Sequence, residues 1–225
     1  MVCDNSPLIV NLLEVFTAKT TDTMLINDTI EDALHTVLYI LNQMGGVCDK
    51  HKICKVLYFA DQKFLVKWGD TITDGDYNAY KYGPVPNLTL GLIKALDRTG
   101  TLVSFKNEIE QFFIKEGKND LRSVRATDFD EISEAAVKTI NEVILEHGGK
   151  NFDQLTNDTH GKAWQNARKT NNKIKLMDIA EEAGASEAVI DYMKVVRENE
   201  AAFDALIKSV KLEKVSLESK STVKA

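Results

Sequence analysis

The chain has 225 residues, 44% of them hydrophobic and 28% charged, which is the balance of a globular protein with one well-buried core. Its formal net charge of −6 and sequence pI near 5.3 exclude the overall basic surface that is typical of nucleic-acid-binding proteins. The charge balance instead favours a basic protein partner or a partner without charge.

The cysteine count and the N-terminal sequence favour a cytoplasmic protein that is not inserted in a membrane. An odd and low number of cysteines indicates reduced thiols, and they are Cys3, Cys48 and Cys54. The longest apolar run near the start is Leu8-Ile9-Val10, which is too short to span a bilayer. No basic residue precedes Lys19 and no cleavage site is evident, so a signal peptide is not predicted.

The start of the chain predicts an extension followed by two helices. Residues 1–26 are assigned to an N-terminal extension, with a short amphipathic helix over 9–16. A helix is predicted over 28–44, because apolar residues recur every three or four positions and Gly45-Gly46 ends the run. The same spacing predicts a second helix over 49–68.

Residues 71–86 change character and predict a stiff segment that is not helical. Strand-forming tyrosines occur here, namely Tyr77, Tyr80 and Tyr82. The segment ends with Tyr82-Gly83-Pro84-Val85-Pro86, and its two prolines fix φ and lack backbone donors. A helix is predicted to follow over 87–99, with Pro86 at its start.

The remaining sequence predicts one hairpin and further helices. Alternating apolar residues predict a β-hairpin over 102–114, with its turn at 106–108, before a polar irregular stretch over 117–127. Helical spacing predicts helices over 130–147, in two short pieces over 151–169, and over 186–212, before a flexible tail over 213–225. We therefore predict a mainly α fold, a helical domain with a small antiparallel β-hairpin and a C-terminal helix packed on it.

The sequence offers no convincing catalytic or metal-binding set. Cys48, His51 and Cys54 have ligand chemistry, but positions six apart on a helix face in different directions, so we favour buried thiols. His160 has no nucleophile or acid at a suitable spacing, and we favour a local hydrogen-bonding role at a helix start. Phosphate-binding, dinucleotide-binding and hydrolase motifs are absent. We expect no enzyme activity, no cofactor and no metal.

Residues 173–197 are compatible with a helix-turn-helix. The second helix would begin near Ser186 and would present Glu187 and Asp191 where a DNA reader needs arginine, asparagine or glutamine. This charge pattern argues against DNA binding, and a transcriptional regulator is kept as an alternative.

Two motifs resemble the Panacea domain family, also called SocA-like. The first is Lys55-Val56-Leu57-Tyr58-Phe59-Ala60-Asp61, and the second runs from Gly75 to Pro86. A later match comprises Leu155, Thr159-His160 and Trp164. The resemblance implies that residues 27–170 form an antitoxin domain of a bacterial or phage toxin–antitoxin system with a role in phage defence, and that 171–212 form an added helical segment.

The resemblance also implies a function, whereas the site residues are predicted from the stiff loop and from the preference of tyrosine for interfaces. Members of the family neutralise a cognate protein toxin by direct binding, some act instead as adaptors that deliver the toxin to a protease, and enzymes are not known among them. The predicted partner-binding residues are Tyr77, Tyr80, Tyr82, Pro84, Val85 and Pro86. The predicted loop-supporting residues are Lys55, Tyr58, Asp61 and Trp164. The tyrosines and prolines could equally pack the loop onto the helices, and toxin identity and oligomeric state are left open.

Overall fold

The computed structural model describes the backbone of residues 19–73 and 75–222, and the side chains of residues 28–73, 75–203 and 205–209. Within these residues the protein is mainly helical, with two small antiparallel sheets of three strands each, which confirms the predicted fold class. The short helix predicted over 9–16 lies outside the described residues.

The elements are numbered in chain order. The helices are α1 (Lys19–Gln43), α2 (Lys50–Trp68), α3 (Asn87–Leu96), α4 (Lys106–Ile109), α5 (Glu134–His147), α6 (Phe152–Asp158), α7 (Lys162–Arg168), α8 (Leu176–Glu182) and α9 (Glu187–Thr222). The strands are β1 (Val47–Asp49), β2 (Tyr77–Tyr80), β3 (Gly83–Pro86), β4 (Phe113–Glu116), β5 (Asp120–Ser123) and β6 (Lys173–Ile174). Short 3-10 turns occur at Val103–Phe105 and Phe129–Glu131.

Helix α2 is the centre of the fold. The side chain of Asp49 caps its first turn by accepting from the backbone N–H groups of His51 and Lys52, and Gly69 ends it in a left-handed conformation with φ of 70°. Residues 53–61 are all buried, because α5, α6, α8 and β3 pack around α2 on several sides. Any polar group in this stretch must therefore find its partners inside the protein.

Helix α1 starts earlier than predicted. It begins at Lys19, so residues 19–26, which we assigned to an extension, are helical. Apolar residues at the predicted helical spacing, among them Leu34, Val37 and Leu41, are buried, and so is every other residue from 33 to 41. The helix ends where the Gly46 N–H donates to Leu41 O at 2.8 Å, with positive φ at Gly45 and Gly46.

The hairpin predicted over 102–114 is wrong. Val103–Phe105 forms a 3-10 turn and Lys106–Ile109 is helical, because the half-buried Phe105 and the fully buried Ile109 lie one helical turn apart. The true hairpin joins β4 to β5, and β1 pairs with the other edge of β5. Gly117, with φ of 63°, lies in its turn, within the stretch that we predicted to be irregular.

The second sheet has the strand order β3-β2-β6. Strands β2 and β3 form a tight hairpin in which Tyr80 pairs with Gly83, Ala79 with Pro84 and Tyr77 with Pro86. The segment over 71–86 that was predicted to be stiff thus contains two short strands joined by a two-residue turn, and its second strand leads directly into α3. Pro86 is the N-cap residue of α3.

The C-terminal part of the chain is mostly helical, as predicted, although some helix ends differ. Helix α5 begins at Glu134, capped by the Ser133 hydroxyl, four residues later than predicted. The short helices α6 and α7 are confirmed, and α9 continues to Thr222, past the predicted end at residue 212. Within residues 19–73 and 75–222, none of the helices has the length and apolar character that crossing a bilayer requires.

Candidate functional site

The turn between β2 and β3 is the exposed part of the predicted partner-binding segment. Tyr80 is 44% exposed and Tyr82 is 49% exposed. Lys81 between them is also exposed, and its Nζ lies 5.1 Å from the centre of the Tyr82 ring. We call Tyr80, Lys81 and Tyr82 the hairpin turn.

Half of the predicted partner-binding residues face inward instead. Tyr77 is 1% exposed, and Pro84 and Pro86 are buried, while Val85 is half-buried. The physical reason is the two-residue period of a strand, which places Tyr77 and Tyr80 on opposite faces of the sheet. In this structure Tyr77, Pro84 and Pro86 support the turn rather than form its surface.

A buried hydrogen bond holds β2 against α2. The Tyr77 hydroxyl donates to Asp61 Oδ2 at 2.5 Å, and the backbone N–H of Ile72 donates to Asp61 Oδ1 at 2.8 Å. The Tyr77 ring also meets the buried Tyr58 ring edge-on, with centroids 5.4 Å apart. Burial raises the pKa of Asp61 to about 7, although the bonds from Tyr77 and Ile72 favour the carboxylate.

A second buried group holds β3. Lys55 is fully buried in α2, and its Nζ donates to the backbone oxygen of Pro84 at 2.7 Å. Within the described part of the chain, no carboxylate forms an ion pair with Lys55. Burial without a counter-ion therefore lowers the pKa of its ammonium group to about 8.

Gly83 allows Lys55 and Thr159 to approach the hairpin. A Cβ atom at Gly83 would lie 2.5 Å from Lys55 Nζ and 2.6 Å from Thr159 Oγ1, so no side chain fits here. Its φ of 102° is also a conformation that glycine alone adopts readily. Thr159 is itself held by bonds from its hydroxyl to the oxygens of Leu155 and Thr156.

Helix α7 fixes the turn from the other side. The Trp164 Nε1–H donates to Tyr80 O at 2.9 Å, and Arg168 Nη1 donates to Ala79 O at 3.2 Å. The Trp164 ring stacks on His160 with centroids 3.7 Å apart. The predicted loop-supporting residues Lys55, Asp61 and Trp164 thus all contact the hairpin or the strand leading to it.

An aromatic side chain that the sequence analysis missed adjoins the turn. Phe152, in the first turn of α6, is 45% exposed, and its ring centre lies 5.3 Å from that of Tyr82. The His51 ring stacks on the Phe152 ring with centroids 4.1 Å apart, and His51 Nε2 lies 3.3 Å from Tyr82 O. Burial and the nearby charge of Lys55 lower the pKa of His51. We call Tyr80, Tyr82 and Phe152 the aromatic patch.

His160 is a local structural residue in this arrangement. Its backbone oxygen accepts from Gln165 Nε2 at 3.0 Å, and its ring lies against Trp164. Burial, followed by the charge of Lys55, lowers the pKa of His160, so its imidazole is biased toward the neutral form.

Cysteine and carboxylate side chains are possible metal ligands, so their positions in the described part of the fold matter. Cys48 lies in β1 and Cys54 in α2, both as free buried thiols, and burial raises the pKa of Cys54 to about 12. Among the described residues, no group of three or more histidine, cysteine or carboxylate side chains could hold a metal ion. Asp32, Asp70 and Glu131 line a cleft of about 320 Å³ with other residues.

The two helices of the helix-turn-helix hypothesis are present as α8 and α9. Gly184, with φ of 88°, lies in the turn between the two helices. Glu187 and Asp191 are both exposed at the start of α9. A recognition helix presents hydrogen-bond donors and positive charge to DNA, so this acidic surface argues against base reading.

We expect Trp164→Phe to loosen the hairpin turn without unfolding the protein. Phenylalanine keeps a ring against His160 but lacks the N–H that donates to Tyr80 O, so the free energy of unfolding should fall by about 1 kcal/mol. Urea denaturation followed by circular dichroism measures this loss. Compared with the unmodified protein, the variant should show faster amide hydrogen exchange in residues 79–83 but not in α5. Equal protection of residues 79–83 in both proteins would contradict a role for this bond.

A family model described as antitoxin SocA-like, Panacea domain matches residues 53–165, about half of the 225-residue chain. No curated protein and no solved structure is matched significantly. The matched stretch contains most of α2, the β2–β3 hairpin and Trp164, and therefore every site residue that was predicted from the sequence. The chain belongs to the antitoxin SocA-like, Panacea domain family.

Proposed function

We propose that this protein is an antitoxin that neutralises a cognate protein toxin by direct, stoichiometric binding. The observation that carries the proposal is the hairpin turn, an exposed Tyr80-Lys81-Tyr82 segment held by hydrogen bonds from the buried Lys55 to Pro84 O and from Trp164 to Tyr80 O. Membership of an antitoxin family supports the class of partner. The mechanism is occlusion, in which the bound antitoxin covers the surface that the toxin uses on its target.

Preorganisation of the turn supports a binding role. Its strands are anchored by Lys55, Asp61 and Trp164, so little conformational entropy is lost when a partner docks. Tyrosine offers a large contact area with few rotatable bonds, and interface hot spots are enriched in it. Phe152 lies beside Tyr82, so two partly exposed aromatic rings are in contact at the turn, and Tyr80 is exposed two residues before Tyr82 in the chain.

We place the site of action in the cytoplasm and assign no catalytic step to the protein. The free thiols of Cys48 and Cys54 suit a reducing compartment. The buried ionisable groups Lys55 and Asp61 bind the backbone and Tyr77 of the protein itself, so their described contacts are structural.

Co-expression tests the proposal. The product of the neighbouring gene should stop growth when it is expressed alone and should not when this protein is present, and the two should elute together in size-exclusion chromatography. A harmless neighbour or the lack of a complex contradicts the proposal. If rescue instead requires a cytoplasmic protease and shortens the half-life of the toxin, the protein is an adaptor.

We expect the double variant Tyr80→Ala, Tyr82→Ala to lose neutralisation while keeping its fold. Truncating the two tyrosines should weaken toxin binding roughly 30-fold or more, because a single hot spot is worth at least about 2 kcal/mol and the two contributions need not add. Isothermal titration calorimetry gives the affinity and circular dichroism gives the fold. The matched control is Leu145→Ala, because Leu145 is 86% exposed and lies on α5, outside the β2–β3 hairpin. An equal loss of toxin affinity in the double variant and in the Leu145→Ala control would place the interface elsewhere.

A further inference from the structure

Helix α9 leaves the domain after its first two turns. Ile190 and Met193 are buried, and the helix packs there against α8 and α2. From Lys194 to Ser209, every described residue is exposed except Val196 and Ile207, which are half-buried. The helix has 36 residues, so it is roughly 54 Å long at 1.5 Å per residue.

An apolar stripe begins at Tyr192, whose ring lies close to Gly69 of the domain, and continues along the projecting part of α9. Tyr192 is 55% exposed, Phe203 63% and Leu206 58%. Together with Val196 and Asn199, these residues alternate at spacings of four and three, which is the heptad pattern of a two-stranded coiled coil. We call Tyr192, Val196, Asn199, Phe203 and Leu206 the seam.

A helix that exposes such a seam along its length lacks the tertiary packing that stabilises helices in water. The charges beside the seam indicate what could cover it. Residues 192–209 contain three basic residues, Lys194, Arg197 and Lys208, and three acidic residues, Glu198, Glu200 and Asp204. The segment is therefore neutral within a chain whose net charge is −6, and two copies of it would not repel each other.

Asn199 points to an identical partner. A polar residue in a coiled-coil core is tolerated when it pairs with a matching polar residue, and it then fixes the register. Parallel pairing of two copies brings the two Asn199 amides to the same level, where each can donate to the other. The flanking positions Val195, Glu200, Ala202 and Ile207 bring no like charges together in this arrangement.

We propose that α9 pairs in parallel with α9 of a second copy of this chain through the seam, and that the protein is a dimer. The dimer forms without the toxin, and it leaves the role of the hairpin turn as a separate question. A failure of dimerisation and a failure of neutralisation are therefore distinguishable.

Light scattering after size-exclusion chromatography of the full chain tests the proposal. The unmodified protein should have twice the mass of the 25.2-kDa chain. The variant Phe203→Glu, Leu206→Glu should run as a monomer, because four carboxylates would meet in the interface and weaken the dimer on the order of 100-fold. The charge-reversing control Lys208→Glu, outside the seam, should stay dimeric. Circular dichroism checks that both variants are folded.

A cross-linking experiment tests the register. In a Cys3→Ser background, Asn199→Cys should form a disulfide between chains on oxidation, whereas Lys208→Cys should not. A monomeric unmodified protein, or equal cross-linking at both positions, overturns the proposal. If the protein is a monomer alone and the seam variant loses toxin binding, the seam is a toxin-binding surface and the proposal is also wrong.

Discussion

Replacing Gly83 with alanine should destabilise the protein by roughly 3 kcal/mol, because the change adds a clash to backbone strain. The new Cβ would lie 2.5 Å from Lys55 Nζ and 2.6 Å from Thr159 Oγ1. Lys55 is fully buried and Thr159 is 1% exposed, so neither has solvent to move into. The bond from Lys55 to Pro84 O should be lost with the displacement, and toxin binding through the hairpin turn should weaken as well.

Gly45→Ala is the matched control for the strain alone. Gly45 has φ of 87°, and a Cβ placed on it meets no atom within 4 Å. We expect this variant to lose about 1 kcal/mol, the usual cost of a left-handed conformation for a residue with a side chain. Urea denaturation of both variants gives the difference, and an equal loss in both would show that Lys55 and Thr159 give way freely.

Asp61→Asn and Lys55→Met should each remove part of the pH dependence of stability, Asp61→Asn in the range below about pH 7 and Lys55→Met in the range above about pH 8. The folded protein holds the Asp61 proton between the usual pKa of 3.8 and about 7, whereas the unfolded chain has lost it. The stability that Asp61 contributes is therefore complete below pH 4 and is lost as the pH rises through 7. Asp61→Asn removes this loss, which should be about 2 kcal/mol or more.

Lys55 acts at higher pH with the opposite sign. Between about pH 8 and its usual pKa of 10.5, the unfolded chain holds a proton that the folded protein has released. The burial penalty of the ammonium group is thus present below pH 8 and disappears as the pH rises through 10.5. Lys55→Met keeps the length of the side chain without the charge, so it should remove this gain in stability.

The contribution of Asp61 and Lys55 together to the stability of the protein should therefore be lowest between pH 7 and 8. Urea denaturation of the unmodified protein and both variants, from pH 4 to 10.5, gives the difference in unfolding free energy at each pH. Other carboxylates titrate equally in all three proteins, so their contribution cancels in the difference. Curves that run parallel across the whole range would contradict the assignment of these pKa shifts to Asp61 and Lys55.

Local sequence patterns located the long helices, although not all of their ends, and were insufficient for the sheets. The spacing of Leu34, Val37 and Leu41 predicted the buried face of α1 because a helical period is a local property. The alternation of Val103 and Phe105 predicted a strand, but burial of Ile109 made the segment helical. Tertiary packing decides such short segments, and a few residues do not carry that information.

The candidate site shows the same division. The difference between Tyr77 and Tyr80 was available in the sequence, since their odd spacing in a strand already placed them on opposite faces. Phe152 could not have been found in this way, because it meets Tyr82 through the packing of α6 on α2. The need for glycine at 83 likewise depends on Lys55, 29 residues before Pro84, and on Thr159.

The prolines of β3 decide how this sheet can meet another protein chain. Ala79 directs its N–H to Asn172 and its C=O to Arg168, away from β3, so its partner Pro84 occupies a position without ladder hydrogen bonds. An N–H at Pro84 or Pro86 would point outward from the sheet, and proline has none. Lys55 already occupies the outward oxygen of Pro84. This edge therefore resists strand addition and amyloid-like growth.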